Sequence, residues 1–388
     1  MKQTKKFLAI SFIAVALAAC QKDRLPEKNE PSEDAEALSS ARRGHHGDKD
    51  GFVYTSSNQS DGNEVIVYRR AKDGELTFRS SCSTGGNGTG GGLGNQEAVV
   101  LADDDKIVLV VNAGSNSISS LKVTGDGLNL KSTVSSGGIR PVSIAVHHNL
   151  VYVLNAGGNG SISGFRLLNN GKLHPIPNST RPLSVAAATD PAQISFVWGG
   201  RVLVITEKAT NTITTYTLNH WGIPGTRHTK TSSSPTPFGF AKGVLGVVFI
   251  SEAVGGAPGA SVLSSYRIHF NGAISLVDGS VGAGQTAACW VVVTKNGKYA
   301  YTTNTGSNNI STFNTNVFSG DISVNNAISA STQAGPIDAA LSDESRFLYV
   351  LNAGGNSISA FSVANDGSLS NIQTVTGLPA GATGLAAN

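Results

Sequence analysis

The stretch Val108-Leu-Val-Val-Asn-Ala-Gly-Ser-Asn-Ser-Ile-Ser-Ser-Leu121 decides the fold, because it returns almost unchanged as Leu348-Tyr-Val-Leu-Asn-Ala-Gly-Gly-Asn-Ser-Ile-Ser-Ala-Phe361. Each copy consists of an apolar strand, a polar turn and a strand of alternating pattern. Shorter copies occur at residues 152–155 and 301–304, and looser ones at 203–207 and 249–252. The chain is therefore built from one repeated strand-rich unit.

The spacing of the copies identifies the kind of repeat. The polar residue that ends the apolar strand lies at positions 112, 155, 207, 252, 304 and 352, so the mean period is about 48 residues. Four short strands fit this period, as in a propeller blade, and no 3.6-residue pattern indicates helices. A degenerate seventh copy begins at Gly51-Phe-Val-Tyr-Thr-Ser-Ser57. We predict an all-β, seven-bladed β-propeller with four antiparallel strands per blade.

The two ends of the repeat region predict how the ring closes. The copy at residues 51–57 has no first strand before it, whereas residues 378–388 form a first strand with nothing after it. Pairing of these two segments would complete the first blade and leave no open sheet edge.

The N-terminus has the features of an export signal. A basic start at residues 2–6 precedes an apolar stretch, residues 7–16, that is too short to span a bilayer. Leu17-Ala-Ala-Cys20 resembles the bacterial lipobox, which implies cleavage before Cys20 and lipid on its sulfur. The alternative is an ordinary signal peptide with a chance cysteine. We predict a signal peptide at 1–19, a lipid-attached flexible tether at 20–50 and the propeller at 51–388, anchored in the cell envelope.

Composition excludes several function classes. Only 14% of residues are charged, and removal of residues 1–19 brings the formal net charge from +3 to zero. No basic run favours nucleic acid. His45 and His46 lie in the tether without further ligands, so we expect no metal site, and no motif indicates a cofactor. We expect a monomer.

The candidate site follows from the strand order. If the first strand of each blade lines the central channel, its start and the end of the second strand meet at one channel mouth, a concave polar surface suited to a ligand. We predict Glu207 and Glu252 as catalytic residues. The predicted ligand-binding residues are Asn112, Asn155, Gln193, Phe238, Trp290, Asn304, Asp338 and Asn352, and the same ring includes Gln96, Ser143 and Cys289.

Some of these residues also have a structural interpretation. Asparagine after a strand is good turn chemistry, because its side chain caps backbone groups. Glu207 and Glu252 replace that asparagine in adjacent blades, which capping explains less readily. Trp290 could be a stacking platform for a ligand or a plug of the channel.

Three further motifs carry a family resemblance. Pro237-Phe-Gly-Phe, Ser251-Glu-Ala-Val-Gly-Gly-Ala-Pro-Gly and the long motif from Ala288-Cys-Trp to Thr303-Asn, together with residues 348–354, resemble the bacterial lactonase family of 6-phosphogluconolactonases and 3-carboxymuconate cyclases. The resemblance implies a seven-bladed propeller and matches Glu207 to the family's acid. The family's arginine or histidine after the strand-opening proline is replaced here by Val142-Ser143, Ala192-Gln193 and Phe238-Gly239.

Together these observations predict a cell-envelope lipoprotein of the lactonase family that binds a small ligand at the channel mouth. Hydrolysis or isomerisation of a lactone would use Glu207 or Glu252 to activate water, with Lys208 as the nearest group for charge stabilisation. The alternative is a non-catalytic propeller that serves as a scaffold for adhesion or protein interaction. The expected partners are a small molecule or a protein, and the membrane through Cys20.

Overall fold

The computed structural model describes residues 50–125 and 127–388, which form 29 strands arranged in seven sheets. The predicted signal peptide and nearly all of the predicted tether, with Cys20, His45 and His46, lie outside the described residues. Within the described part of the chain, the single helical element is a short 3₁₀ turn, Val254–Gly256. No helix among these residues has the length and apolar character needed to cross a membrane.

The sheets are the predicted blades, and the strands of each blade follow one another from the channel outwards. The first blade contains β29 (Thr383–Ala387), β1 (Gly51–Ser56), β2 (Glu64–Arg70) and β3 (Leu76–Ser83). The second contains β4 (Val99–Ala102), β5 (Ile107–Asn112), β6 (Ser117–Thr124) and β7 (Gly127–Ser135). The third contains β8 (Pro141–His147), β9 (Leu150–Asn155), β10 (Ser161–Leu167) and two short outer strands, β11 (Leu173–Pro175) and β12 (Arg181–Pro182).

The other four blades each have four strands in chain order. The fourth contains β13 (Pro191–Val197), β14 (Val202–Glu207), β15 (Thr212–Leu218) and β16 (Pro224–Thr231). The fifth contains β17 (Pro237–Lys242), β18 (Val247–Glu252), β19 (Val262–Ile268) and β20 (Ile274–Gly282). The sixth contains β21 (Ala288–Val293), β22 (Tyr299–Asn304), β23 (Asn309–Thr315) and β24 (Ile322–Ser331). The seventh contains β25 (Pro336–Leu341), β26 (Phe347–Asn352), β27 (Ser357–Val363) and β28 (Leu369–Thr376).

The second strands form the core between blades, because a blade packs against neighbours on both faces. All six residues of β5, β9, β14, β18 and β26 are buried, as expected for strands covered on both sides. Tyrosines in two of the second strands, β22 and β26, also bind the next blade. The Tyr301 hydroxyl donates to the Gly367 carbonyl at 3.0 Å, and the Tyr349 hydroxyl donates to the Gly74 carbonyl at 2.9 Å. Both glycines have positive φ, and a Cβ at Gly74 would clash with Phe347.

The ring closes as predicted, with β29 pairing antiparallel to β1 in the register Tyr54↔Ala386. The final residue extends this contact, because the Asn388 N–H donates to the Phe52 carbonyl at 3.1 Å and the Phe52 N–H donates to Asn388 Oδ1 at 2.7 Å. The first blade is therefore completed by a strand from the opposite end of the chain.

The antiparallel order gives the propeller two distinct faces. The crossover face carries the segments that lead from one blade to the next, such as residues 183–190 and 232–236. The hairpin face carries the turns between first and second strands and between third and fourth strands, such as residues 198–201 and 219–223. Near the crossover face, five first strands have an irregular register just after their opening residue, and such bulges change the direction of side chains.

Candidate functional site

The predicted catalytic residue Glu207 is fully buried at the end of β14. Its carboxylate accepts hydrogen bonds from the Ser184 N–H at 3.1 Å, the Thr210 hydroxyl at 3.0 Å and the Thr214 hydroxyl at 2.5 Å, and also from the Ser184 hydroxyl. Ser184 belongs to the segment that crosses from the third blade. The side chain therefore ties this crossover segment to its own blade.

Glu252 occupies the equivalent position in the fifth blade and makes the same kind of contact. Its carboxylate accepts from the backbone N–H groups of Ser233 and Ser234 at 3.1 and 2.8 Å. The Ser264 and Tyr266 hydroxyls donate to it at 2.8 and 2.6 Å. Burial raises the pKa of Glu252, and the hydrogen bonds from Tyr266 and Ser264 oppose this shift.

The four asparagines at this position bind either their own blade or the crossover segment that leads into it. Asn112 Oδ1 accepts from the Thr84 hydroxyl of the crossover segment at 2.7 Å, while its Nδ2 donates to Ser119 Oγ at 2.8 Å. A Cβ at Gly86 would lie 2.6 Å from this amide. Asn155 Nδ2 donates to the Ser136 carbonyl in the segment that crosses from the second blade. The Nδ2 groups of the other two donate within their own blades, from Asn304 to Asn309 and Ser311, and from Asn352 to Ser357 and Ser359.

The choice between glutamate and asparagine at these six positions has a physical reason. At Asn112 and Asn155 the crossover segment brings a glycine, Gly86 or Gly138, directly against the side-chain amide. Where the segment presents serine N–H groups, as at Ser184 and Ser233, an acceptor-only carboxylate satisfies them. This geometry favours a structural role for Glu207 and Glu252, since hydrogen-bond donors surround both carboxylates.

The channel mouth on the crossover face is filled by residues 93–97, which we name the plug. The plug precedes the short strand β4 and contacts several blades. The Asn95 amide donates to the Val142 carbonyl in the third blade, and the Gln96 N–H donates to the Ala192 carbonyl in the fourth at 3.1 Å. Leu93, Asn95 and Gln96 are buried. The Gly-rich connection before the plug allows the chain to leave the first blade and enter the channel.

Aromatic residues complete this closure. The Trp290 indole N–H donates to the Asn95 carbonyl at 2.5 Å. The centres of the Trp290 and Phe238 rings lie 4.9 Å apart. Lys208 Nζ lies 4.7 Å from the centre of the Phe238 ring and binds the Gly94 carbonyl. Burial lowers the pKa of Lys208, and the carboxylate of Asp190, 3.5 Å away, opposes this shift. Trp290 and Phe238 are thus parts of the channel closure, and both are buried.

Glutamine side chains join the inner strands. Gln193 Nε2 donates to the Phe240 carbonyl at 3.0 Å, and the Phe240 N–H donates to Gln193 Oε1 at 2.5 Å. Gln96 makes the same pair of bonds with Val291. The Gln193 amide thus links the inner strands of two adjacent blades, whereas the Gln96 amide links the second blade to the sixth across the channel.

Beneath the plug lies a cavity of about 280 Å³ whose lining includes Gln96, Glu97 and Asp338. Asp338 is 2% exposed, and its Oδ1 accepts from the Ala339 N–H at 2.8 Å. Asp338 Oδ2 and Glu97 Oε2 are buried atoms with no hydrogen-bond partner. Leu101, Asp105 and Leu341 line the cavity further toward the hairpin face. Unpartnered carboxyl oxygens in a cavity are suited to a ligand that donates hydrogen bonds.

Both carboxyl groups hold protons more tightly than usual. Burial raises the pKa of Glu97 to about 7, with a smaller opposing effect of the Lys242 charge. Burial also raises the pKa of Asp338 well above its ordinary value, and the Glu97 charge adds to this shift. Both shifts favour the protonated form, so each carboxyl keeps its proton to a higher pH than it would in water.

A family model described as a lactonase, seven-bladed beta-propeller, matches residues 266–387, which run from the third strand of the fifth blade to the closing strand. The predicted resemblance to the lactonase family is confirmed. No curated protein matches the chain.

Solved structures share the fold of this lactonase-like propeller. A Bacteroides fragilis protein provisionally described as a 6-phosphogluconolactonase is 15% identical, with a TM-score of 0.70 over 89% of this chain and 99% of that one. The periplasmic gluconolactonase of Pseudomonas aeruginosa is 15% identical, with a TM-score of 0.65 over 86% and 98%. A Lactobacillus plantarum protein is 16% identical, with a TM-score of 0.70 over 87% and 99%. At these identities the likeness supports the fold alone.

The structure of the lactonase-like propeller separates the predicted site residues into two groups. Six bind crossover segments or neighbouring strands: Asn112, Asn155, Glu207, Glu252, Asn304 and Asn352. The others lie at the channel: Gln96, Gln193, Phe238, Trp290 and Asp338. Ser143 accepts from the Ile194 N–H at 3.2 Å, and Cys289 is buried. Within residues 50–125 and 127–388, no three His, Cys, Asp or Glu side chains form a metal-binding group.

Sequence reasoning missed Glu97. The residue follows the ring position Gln96 directly, but no proline opens this first strand, so nothing in the repeat pattern marked it. Its φ of 64° is unusual for a residue with a side chain and sets its direction where the plug returns to the sheet.

Proposed function

We propose that this protein is a cell-envelope lipoprotein whose propeller binds a small uncharged ligand in the cavity beneath the plug and hydrolyses a lactone there. The observation that carries the proposal is the pair of unpartnered carboxyl oxygens, Asp338 Oδ2 and Glu97 Oε2, in one cavity. The match to the lactonase family model supports the class of reaction. Cys20, in its lipobox-like context, supports the anchor.

The two carboxyl groups have different roles in this reaction. Glu97 accepts a proton from a water molecule as the water oxygen attacks the lactone carbonyl carbon. Protonated Asp338 donates a hydrogen bond to the carbonyl oxygen as negative charge develops on it. The ring C–O bond then breaks, and the proton held by Glu97 passes to the leaving alkoxide oxygen. The product is a hydroxy acid, and both groups return to their starting states.

The proposed substrate is uncharged because the described cavity offers no arginine. Recognition of a phosphorylated sugar would need a cluster of arginines, whereas the cavity lining contains Glu97, Asp105 and Asp338 as its ionisable groups. A second negative charge beside these carboxyls would be repelled.

A hydrolysis assay with a panel of uncharged five- and six-membered lactones tests this proposal on the full-length protein. Loss of the base in Glu97→Gln should lower kcat/KM by roughly 10²- to 10⁴-fold. Asp338→Ala should lower kcat by roughly 10²- to 10³-fold, while Asp338→Asn, which keeps a donor, should retain more activity. Glu207→Gln is the matched control, and its kcat/KM should stay near the wild-type value.

Two results would reject the proposed chemistry. One is wild-type activity in Glu97→Gln, and the other is equal loss in Glu97→Gln and Glu207→Gln, which would trace the effect to folding. Turnover of no lactone in the panel would favour the second candidate function.

That second candidate is a non-catalytic scaffold for adhesion or protein interaction. It is favoured by Glu207, whose carboxylate is occupied by hydrogen bonds, and by the replacement of the family's basic residues with Val142-Ser143 and Ala192-Gln193.

A further inference from the structure

Large apolar side chains are exposed at the tips of turns on the hairpin face. Trp221 lies between β15 and β16, Phe270 between β19 and β20, and Phe318 between β23 and β24, with 65%, 57% and 65% of their surface exposed. Leu245, between β17 and β18, is 56% exposed. These residues belong to the fourth, fifth and sixth blades, so they form one continuous arc on one side of the ring. An apolar cluster of this kind indicates an interaction surface.

The backbones of these turns are held in place from neighbouring elements. Arg166 Nη2 donates to the Trp221 carbonyl at 2.9 Å, and Arg267 Nη2 donates to the Phe318 carbonyl at 2.8 Å. The Trp198 indole N–H donates to the Ile268 carbonyl, next to the Phe270 turn, at 2.7 Å. The rings are therefore presented outward on fixed turns instead of packing in the core.

The charge on the hairpin face is distributed unevenly. The hairpin turns of the third, fourth and fifth blades contain no Asp or Glu, and they carry Lys172, Arg201 and Lys242. The Arg201 guanidinium lies 5.5 Å from the centre of the Phe270 ring. The sixth blade contributes one acid, Asp321, in the turn of Phe318, whereas eight acids lie at the turns of the seventh, first and second blades: Asp73, Glu75, Asp103, Asp104, Asp105, Asp343, Glu344 and Asp366. The aromatic arc is thus basic, and the opposite arc is acidic.

The chain enters the propeller on this same face. Strand β1 is the second strand of its blade and runs from the hairpin face toward the crossover face, so Asp50 and Gly51 lie at the hairpin face. The predicted tether, residues 20–50, therefore joins the propeller on the face that carries the aromatic arc.

We propose that Trp221, Phe270, Phe318 and Leu245, with Arg201 and Lys242, form a surface that docks onto an anionic lipid bilayer. We name it the basic aromatic surface. Aromatic rings settle at the headgroup level of a bilayer, and basic side chains beside them are attracted to anionic lipid. This proposal rests on the lipid anchor of the proposed function but not on its lactone chemistry.

Lipid fits this surface better than a protein partner does. The rings stand on turns of separate blades. Arg201, Lys242 and Lys172 outnumber the single acid of these turns, Asp321, so the surface carries a net positive charge that complements a uniformly negative plane. A tether that joins the same face keeps the surface close to the bilayer in which the anchor is inserted.

Fluorescence quenching by brominated lipid tests the proposal on the full-length lipoprotein inserted in vesicles through its N-terminus. The vesicles contain phosphatidylcholine with or without brominated phosphatidylglycerol, and the chain has three tryptophans. We expect brominated phosphatidylglycerol to quench the tryptophan fluorescence of the wild type, and we expect this quenching to be largely lost in Trp221→Phe. Arg201→Gln with Lys242→Gln should also reduce it, because each base near the membrane surface contributes roughly a fivefold preference for docking.

The matched control moves the tryptophan to another exposed aromatic position. Phe78, in β3 of the first blade, is 61% exposed and lies outside the basic aromatic surface. The double variant Trp221→Phe with Phe78→Trp should show no quenching of the introduced tryptophan. Equal quenching of wild type and double variant would overturn the proposal, as would wild-type emission unaffected by lipid. A protein that does not float with vesicles would contradict the anchor and the surface together, whereas lactone turnover is measured without lipid and fails independently.

Discussion

Gln96 and Val291 lie 195 residues apart in the chain, yet they pair across the central channel like partners in a sheet. Gln96 Nε2 donates to the Val291 carbonyl at 3.0 Å, and the Val291 N–H donates to Gln96 Oε1 at 3.3 Å. A side chain of the second blade thereby satisfies the backbone of the sixth. The contact seals the channel on the crossover side and leaves the cavity with Glu97 and Asp338 beneath it.

Removal of this contact should cost stability. Gln96→Ala leaves the buried N–H and C=O groups of Val291 without partners, which should lower the free energy of unfolding by about 1–3 kcal/mol. Urea unfolding measures the change. The exposed Gln333→Ala is the control and should change stability by less than about 0.5 kcal/mol. Equal unfolding free energies of Gln96→Ala and wild type would contradict the inference that Gln96 holds the plug to the sixth blade.

Glu207 should be important for stability and unimportant for turnover. Glu207→Gln replaces acceptor oxygen with an NH₂ group that faces the Ser184 and Thr210 donors, so unfolding free energy should fall by about 1–3 kcal/mol. Glu344→Gln, at the surface ion pair with Lys295, is the control and should cost about 1 kcal/mol or less. A Glu207→Gln variant of full stability but abolished turnover would instead support the catalytic role predicted from sequence.

Ring closure predicts a strong effect of a short truncation. Deletion of residues 383–388 removes β29 and exposes the inner edge of β1. We expect a lower Tm for the truncated protein. We also expect it to aggregate on heating, which light scattering would measure. Asn388→Ala loses one hydrogen bond to Phe52 and should cost only about 0.5–1.5 kcal/mol. A truncated protein with the wild-type Tm would show that the closing strand is dispensable.

Glu97 should make stability depend on pH. Its folded pKa, about 7, exceeds the ordinary value of 4.5, so the folded state binds the proton more tightly than the unfolded state. Its contribution is fully present below pH 4.5 and is lost as pH rises through 7. Glu97→Gln should therefore equal wild type near pH 4 and exceed it by about 1–3 kcal/mol near pH 8. Parallel stability curves for the two proteins would contradict the buried position of this carboxyl.

The fold could be predicted from the sequence because the same blade pattern occurs several times along the chain. Three of the second strands end in Asn-Ala-Gly, at residues 112, 155 and 352. The segments at residues 51–57 and 378–388 each lack a partner strand that the other supplies. A repeat of this kind is a local sequence pattern, so it can be recognised without knowing which distant residues are in contact.

The candidate site was harder to predict because strand position does not fix what a side chain meets. Glu207 and Asp338 both lie near the crossover ends of strands. The Glu207 carboxylate accepts hydrogen bonds from Ser184 and Thr214, whereas the Asp338 carboxyl lines a cavity. Glu97 enters the channel only because the plug leaves its sheet. That path depends on contacts with Val142 and Ala192 in other blades, which the sequence does not display.

Crystals soaked with the lactam analogue of a hydrolysed lactone give the sharpest test, because the lactam is uncharged, resists hydrolysis and shows where the ligand binds. We expect density in the cavity beneath the plug, with polar ligand atoms within hydrogen-bond distance of Glu97 and Asp338, and no such density in Asp338→Ala. A ligand bound on the crossover face above Trp290, with the cavity empty, would contradict this expectation.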